Sequence, residues 1–126
     1  GDLLDRAADP AGAMRVGLDL VEVARIERLA ARWGRRFLER IFTAGELDYS
    51  LSKRRPAEHL AARFAAKEAL IKAAGLGPRW REIEVANAPS GKPYFSILPA
   101  GLETKDIRLS LAHDGGVAAA IVLIAG

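Results

Sequence analysis

An α+β fold, a single domain of helices packed on a small, mainly antiparallel sheet, follows from three features of the 126-residue chain. Apolar residues recur at helical spacing up to Gly75 and at a spacing of two afterwards. Gly, Pro, Asn and Asp cut the later half into segments of strand length. Helices first and strands afterwards favour segregated layers over an alternating parallel sheet.

Each element has its own signal. Val16 to Asp19 reads as a short strand running into a helix from about Val21 to Trp33. Thr43 and Glu46 form a T-x-x-E capping box for a short helix through about Leu51. After the basic break Lys53-Arg54-Arg55, Pro56 suits the first turn of a long helix ending near Gly75. Residues 76–80, LGPRW, read as a loop. Strands are expected over 82–87, 93–98, 107–112 and 117–124, with turns at NAPSGKP and HDGG and a brief irregular piece, AGLETK.

Composition narrows the function classes. The chain has no cysteine, which excludes disulfides, thiolate metal sites and a thiol nucleophile and suggests a reducing, cytoplasmic setting. The longest apolar run, VAAAIVLIA at 117–125, is too short for a membrane span. Residues 1–13 carry three Asp and one Arg, a net −2, so with +3 for the whole chain the body carries +5. That balance suits an anionic partner: nucleic acid, nucleotide phosphates or an acidic protein. The only methionine, Met14, stands at the start of the strand-like run; residues 1–13 are read as an extension and 14–126 as the domain. At this length one chain buries a modest core, so oligomerisation would help.

Stepping the first helix at 100° per residue puts Arg25, Arg28, Arg32 and, if the helix continues past Gly34, Arg36 on one narrow ridge. Ile26, Leu29, Ala30, Trp33 and Phe37 fall on the adjacent arc. The ridge reads either as a solvated face or as a docking strip, because an arginine fork binds carboxylate or phosphate with two donors. In the long helix, Leu60, Phe64 and Ile71 mark a buried stripe, with Glu68 and Lys72 on one shoulder and Arg63 and Lys67 on the other. All four charges are therefore expected at the edge of a cleft. Glu68 and Lys72, at i and i+4, could simply pair with each other. Alternatively, Asp19 and Glu68 could share a magnesium ion, which takes one or two carboxylates together with water and phosphate oxygens.

Five strings in order resemble the holo-acyl-carrier-protein synthases, the short 4′-phosphopantetheinyl transferases: VGLDLVEVARI (16–26), FTAGEL (42–47), LAARFAAKEALIKA (60–73), SGKP (90–93) and LSLAHD (109–114). The likeness spans roughly residues 15–124. It implies transfer of phosphopantetheine from coenzyme A to a serine of an acyl carrier protein, with magnesium, adenosine 3′,5′-bisphosphate as the other product, and a homotrimer with sites between subunits. By the same resemblance Asp19 and Glu68 match metal ligands, and Lys72 matches a lysine on the phosphate arm. Arg63 and His113 match coenzyme A phosphate contacts; Gly91, Lys92 and Pro93 match a turn near the nucleotide. Arg25 matches a carrier-binding arginine, which extends to a partner-binding ridge of Arg25, Arg28 and Arg32. Glu68 is the first candidate for the general base. Val21 stands where some larger relatives supply a further carboxylate.

Two other readings compete: a non-catalytic module that binds carrier protein or nucleotide, and a small basic nucleic-acid binder. A hydrolase triad of Ser110, His113 and Asp114 is set aside, since the three lie too close along one strand and turn to align in series.

Overall fold

The structure, a computed structural model, describes residues 13–126. The expected extension over 1–13 falls outside them except for Ala13. Strand β1 (Arg15–Glu22) leads into helix α1 (Val23–Ile41), followed by α2 (Ala44–Leu51) and α3 (Pro56–Ala74). A 3-10 turn, Trp80–Glu82, precedes the hairpin of β2 (Glu84–Asn87) and β3 (Pro93–Ile97). A second, Thr104–Asp106, precedes β4 (Ile107–Asp114) and β5 (Val117–Ile124). The class is α+β: β5 lies between β1 and β4 and antiparallel to both, while β2 and β3 form a separate antiparallel pair.

The first strand is longer than its apolar pattern suggests. Val21, expected to open the helix, instead pairs with Ala118 and is buried, because β5 supplies ladder partners as far as Glu22. Beyond it, α1 is interrupted at Gly34, whose φ of 68° and ψ of −155° lie in a region that glycine enters without steric cost. Regular 100° stepping is broken there, although Phe37 still packs against the core and Arg36 stays exposed. Trp33 is 58% exposed rather than part of the core, with the Arg32 guanidinium over its ring.

The capping box forms as its spacing requires: the Thr43 side chain accepts from Glu46 N, and Glu46 Oε1 accepts from Thr43 N at 2.9 Å. Helix α3 is the centre of the molecule, with β1 and β5 on one side and α1, α2 and β2 on the other. Its alanines Ala65, Ala66, Ala69 and Ala73 are buried, as are Ala118 and Ala120 on β5, so helix and sheet approach closely. The closest approach is at Gly17, where a Cβ would sit 1.9 Å from the Ala69 carbonyl oxygen. Phe42, Leu47, Leu70, Ile83 and Phe95 close the core on the far side of the helix. Among the described residues no helix is long and apolar enough to cross a membrane.

Candidate active site

Alternation along β1 turns Gly17, Asp19 and Val21 to the helix side of the sheet and Val16, Leu18 and Leu20 to the other. Because Gly17 lets α3 lie against β1, Lys72 near the end of α3 reaches the strand directly. Its Nζ donates to Asp19 Oδ1 at 2.8 Å and to the Leu18 carbonyl at 3.1 Å. Glu68 lies one helical turn earlier on the same face, about 6 Å along the axis. The two helix residues bond to Asp19 and to Trp80 respectively rather than to each other: Glu68 Oε1 accepts from Trp80 Nε1 at 3.0 Å. Asp19 and Lys72, separated by 53 positions in the chain, thus meet where α3 crosses β1, with Glu68 one turn earlier on the helix. Buried Val21 faces the core, so Asp19 is the carboxylate that this part of β1 offers.

Lys67 does not stand at the edge of a cleft, and Arg63 is buried although it lines a pocket. Lys67 is fully buried, its Nζ 2.6 Å from Glu46 Oε1 and donating to the carbonyls of Ile41 and Trp80 at 2.8 Å each. All three ammonium protons are satisfied, which makes a charge in the core tolerable. Burial pushes the Lys67 ammonium below its ordinary range, and Glu46 opposes that shift. At Lys67 the helix is covered on both sides, and Glu46, 21 positions away, was not visible as a partner in the local pattern.

Arg63 is 3% exposed. Its guanidinium lies over the Tyr49 ring and Nη2 donates to Asn87 Oδ1, while Nε has no partner among the described residues. Burial lowers its pKa, and Tyr49 and Glu46 oppose the shift. Arg63 nonetheless lines a pocket of about 260 Å³ together with Tyr49 and Asn87. Asn87 also donates to the Gly91 carbonyl at 2.9 Å, tying Arg63 to the turn of Gly91, Lys92 and Pro93. Lys92 and Pro93 line a second cavity of about 340 Å³ with Thr104 and Arg108.

His113 shares the inner face of the sheet with Asp19. It lies opposite Ala118, with Nδ1 3.6 Å from Glu58 Oε2 at the start of α3. His59 stands between Tyr49 and His113, edge-on to both. Ser110, opposite Ile121, and Asp114, opposite Val117, are on the other face, so the hydrolase triad is excluded by strand alternation. Arg63 lies in the first half of α3, whose start His113 of β4 faces, while Glu68 and Lys72 lie in the second half, with Asp19 of β1 beside Lys72. Arg63 and Lys72 are separated by about 13 Å of helix rise. Arg25, Arg28 and Arg32 are exposed on α1, whose first residue donates to the Gly116 carbonyl in the β4–β5 turn at 2.8 Å.

Sequence reasoning had not singled out Trp80, Asn87, His59, Tyr49 or Glu46's second role. Trp80 looked like one residue of a loop, and the others act through partners remote in the chain.

Among the described residues no group of three or more His, Cys, Asp or Glu is placed to hold a metal. A cation here would rest on two carboxylates together with water or phosphate oxygens, the donor set of magnesium. The result is a small α+β protein whose central helix carries an exposed lysine paired with a strand carboxylate. The chain belongs to the 4′-phosphopantetheinyl transferase superfamily, whose family model matches residues 15–122. It is 42% identical to a holo-[acyl-carrier-protein] synthase of Chloroherpeton thalassium, over 88% of this chain and 97% of that one. Its fold is similar to the holo-[acyl-carrier-protein] synthase of Neisseria meningitidis, with a TM-score of 0.79 at 34% identity, covering 89% of this chain and 98% of the other. The Bacillus anthracis synthase, in complex with coenzyme A (3′,5′-ADP), matches with a TM-score of 0.77 at 34% identity, covering 90% and 99%.

Proposed function

We infer that the protein is a holo-acyl-carrier-protein synthase, moving the 4′-phosphopantetheine group of coenzyme A to a serine of an apo acyl carrier protein. The observation that carries this reading is the junction of Lys72 and Asp19, 2.8 Å apart, with Glu68 one turn away. These are the three positions at which the family resemblance puts the reaction.

The serine oxygen forms a bond to the β-phosphorus of coenzyme A, and the bond from that phosphorus to the bridging oxygen breaks. Adenosine 3′,5′-bisphosphate leaves, and the serine proton passes to a base for which Glu68 is the first candidate. Asp19 and Glu68 would hold magnesium, which when bound stabilises charge on the pyrophosphate. Lys72 positions Asp19 and offers its remaining charge to the phosphate arm. Arg63, His113 and the turn of Gly91, Lys92 and Pro93 serve the phosphates and nucleotide. Arg25, Arg28 and Arg32 meet the acidic carrier, raising encounter rate and salt sensitivity.

A homotrimer with sites between subunits belongs to the same reading, in a cytoplasmic setting. Its support is the outer face of the sheet, where Val16, Leu18, Leu20 and Ile121 are 57%, 56%, 65% and 40% exposed. So contiguous an apolar face suits burial against other copies. Sedimentation equilibrium at micromolar concentration should give a trimer; a strict monomer with full activity contradicts it.

The reaction is tested by incubating the protein with coenzyme A, magnesium and an apo carrier and weighing the carrier. The expected result is a gain of one phosphopantetheine group, lost with chelator. No gain with several apo carriers overturns the transferase reading in favour of a binding module.

A further inference from the structure

Two consecutive residues of α3 grip Trp80 at opposite ends. Lys67 Nζ donates to its main-chain carbonyl at 2.8 Å, and Glu68 Oε1 accepts from its indole Nε1 at 3.0 Å. Lys67 is itself fixed by the buried pair with Glu46 and by the Ile41 carbonyl. The indole ring is further confined by Phe64, with centroids 6.2 Å apart. The 3-10 turn that begins at Trp80 is thus anchored in the core before its side chain reaches Glu68.

We propose that Trp80 is a positioning residue: its indole N–H holds one oxygen of the Glu68 carboxylate so that the other is presented to a divalent cation. The proposal rests on the reading of Glu68 as a metal ligand. An indole has one donor and no acceptor, so it can orient a carboxylate without competing for the cation. An exposed glutamate on a helix explores several rotamers; one bonded to a fixed ring does not. Outer-shell partners of this kind alter metal affinity by about 10–100-fold.

The test is Mn²⁺ binding, followed by electron paramagnetic resonance in the presence of coenzyme A, for the parent, Trp80→Phe and Glu68→Ala. Phenylalanine keeps the ring against Phe64 and removes only the donor. Loss of binding in Glu68→Ala with an affinity at least about tenfold weaker in Trp80→Phe is the expected result. Unchanged or tighter binding in Trp80→Phe, with Glu68→Ala impaired, overturns the positioning role alone. Unchanged binding in Glu68→Ala overturns the reading of Glu68 as a ligand, and the proposal with it.

A second measurement leaves Trp80 in place. The chain has two tryptophans, so its NMR spectrum carries two indole N–H resonances, assigned with Trp33→Phe. The Trp80 resonance should move when Mg²⁺ is added with coenzyme A. A resonance that stays fixed while the metal binds overturns the proposal.

Discussion

Lys72 Nζ lies 2.8 Å from Asp19 Oδ1, joining the last turn of the central helix to the middle of the first strand. The contact depends on how closely α3 lies on β1, and Gly17 sets that distance. A methyl group at Gly17 would have to displace the Ala69 carbonyl, which belongs to the helix backbone and cannot rotate aside. Gly17→Ala should cost about 1–3 kcal/mol of stability in urea unfolding. It should also lower transfer activity in the fraction that remains folded, by moving Lys72 away from Asp19. Wild-type stability and activity together would show that the close approach is not needed.

The buried pair of Glu46 and Lys67 gives a stability prediction independent of catalysis. Lys67→Met leaves Glu46 charged and without its cation in the core, and should cost about 3–5 kcal/mol in urea unfolding. Adding Glu46→Gln removes the stranded charge and should recover part of that loss. A double variant less stable than Lys67→Met would contradict this account of the pair.

How much of this was legible in the sequence depended on distance along the chain. Thr43 and Glu46 announced their capping box because its partners are three residues apart. The same glutamate accepts from Val85 N, 39 positions on, and pairs with Lys67; nothing local marks either contact. Asp19, Glu68 and Lys72 stand out by residue type and on the helical wheel before any family string is considered, but nothing local marks the pairing of Lys72 with Asp19, 53 positions away. The helical wheel failed for Lys67 and Arg63 because it assumes one buried face, while α3 is covered on two sides.

His59 predicts a dependence on pH. Burial, followed by the charges of Arg63, His113 and Lys53, holds its imidazole below the ordinary value, with Glu58 opposing. Below about 6.5 the unfolded chain binds a proton more readily than the folded one. Stability should therefore fall as pH drops through about 6.5 and level off below the folded-state value. His59→Asn should remove that part of the fall, measured as urea midpoints at pH 7.5 and 5. An unaltered pH dependence in the variant would exclude His59 as its source.

On α1, Arg25 is exposed and free of the core, so reversing its charge should leave the fold intact. Arg25→Glu should raise the KM for carrier protein far more than that for coenzyme A, and weaken the salt dependence of the former. Equal effects on both constants would refute a docking role.

The central claim is that Asp19 and Glu68 share one divalent cation beside Lys72. Crystals grown with Mn²⁺ and coenzyme A, with anomalous diffraction collected at the manganese edge, test it most directly. The account predicts one strong anomalous peak within coordination distance of a carboxylate oxygen from each of Asp19 and Glu68, with Lys72 beside it. A peak bound to neither carboxylate, or to Asp19 alone with Glu68 still facing only Trp80, would contradict it.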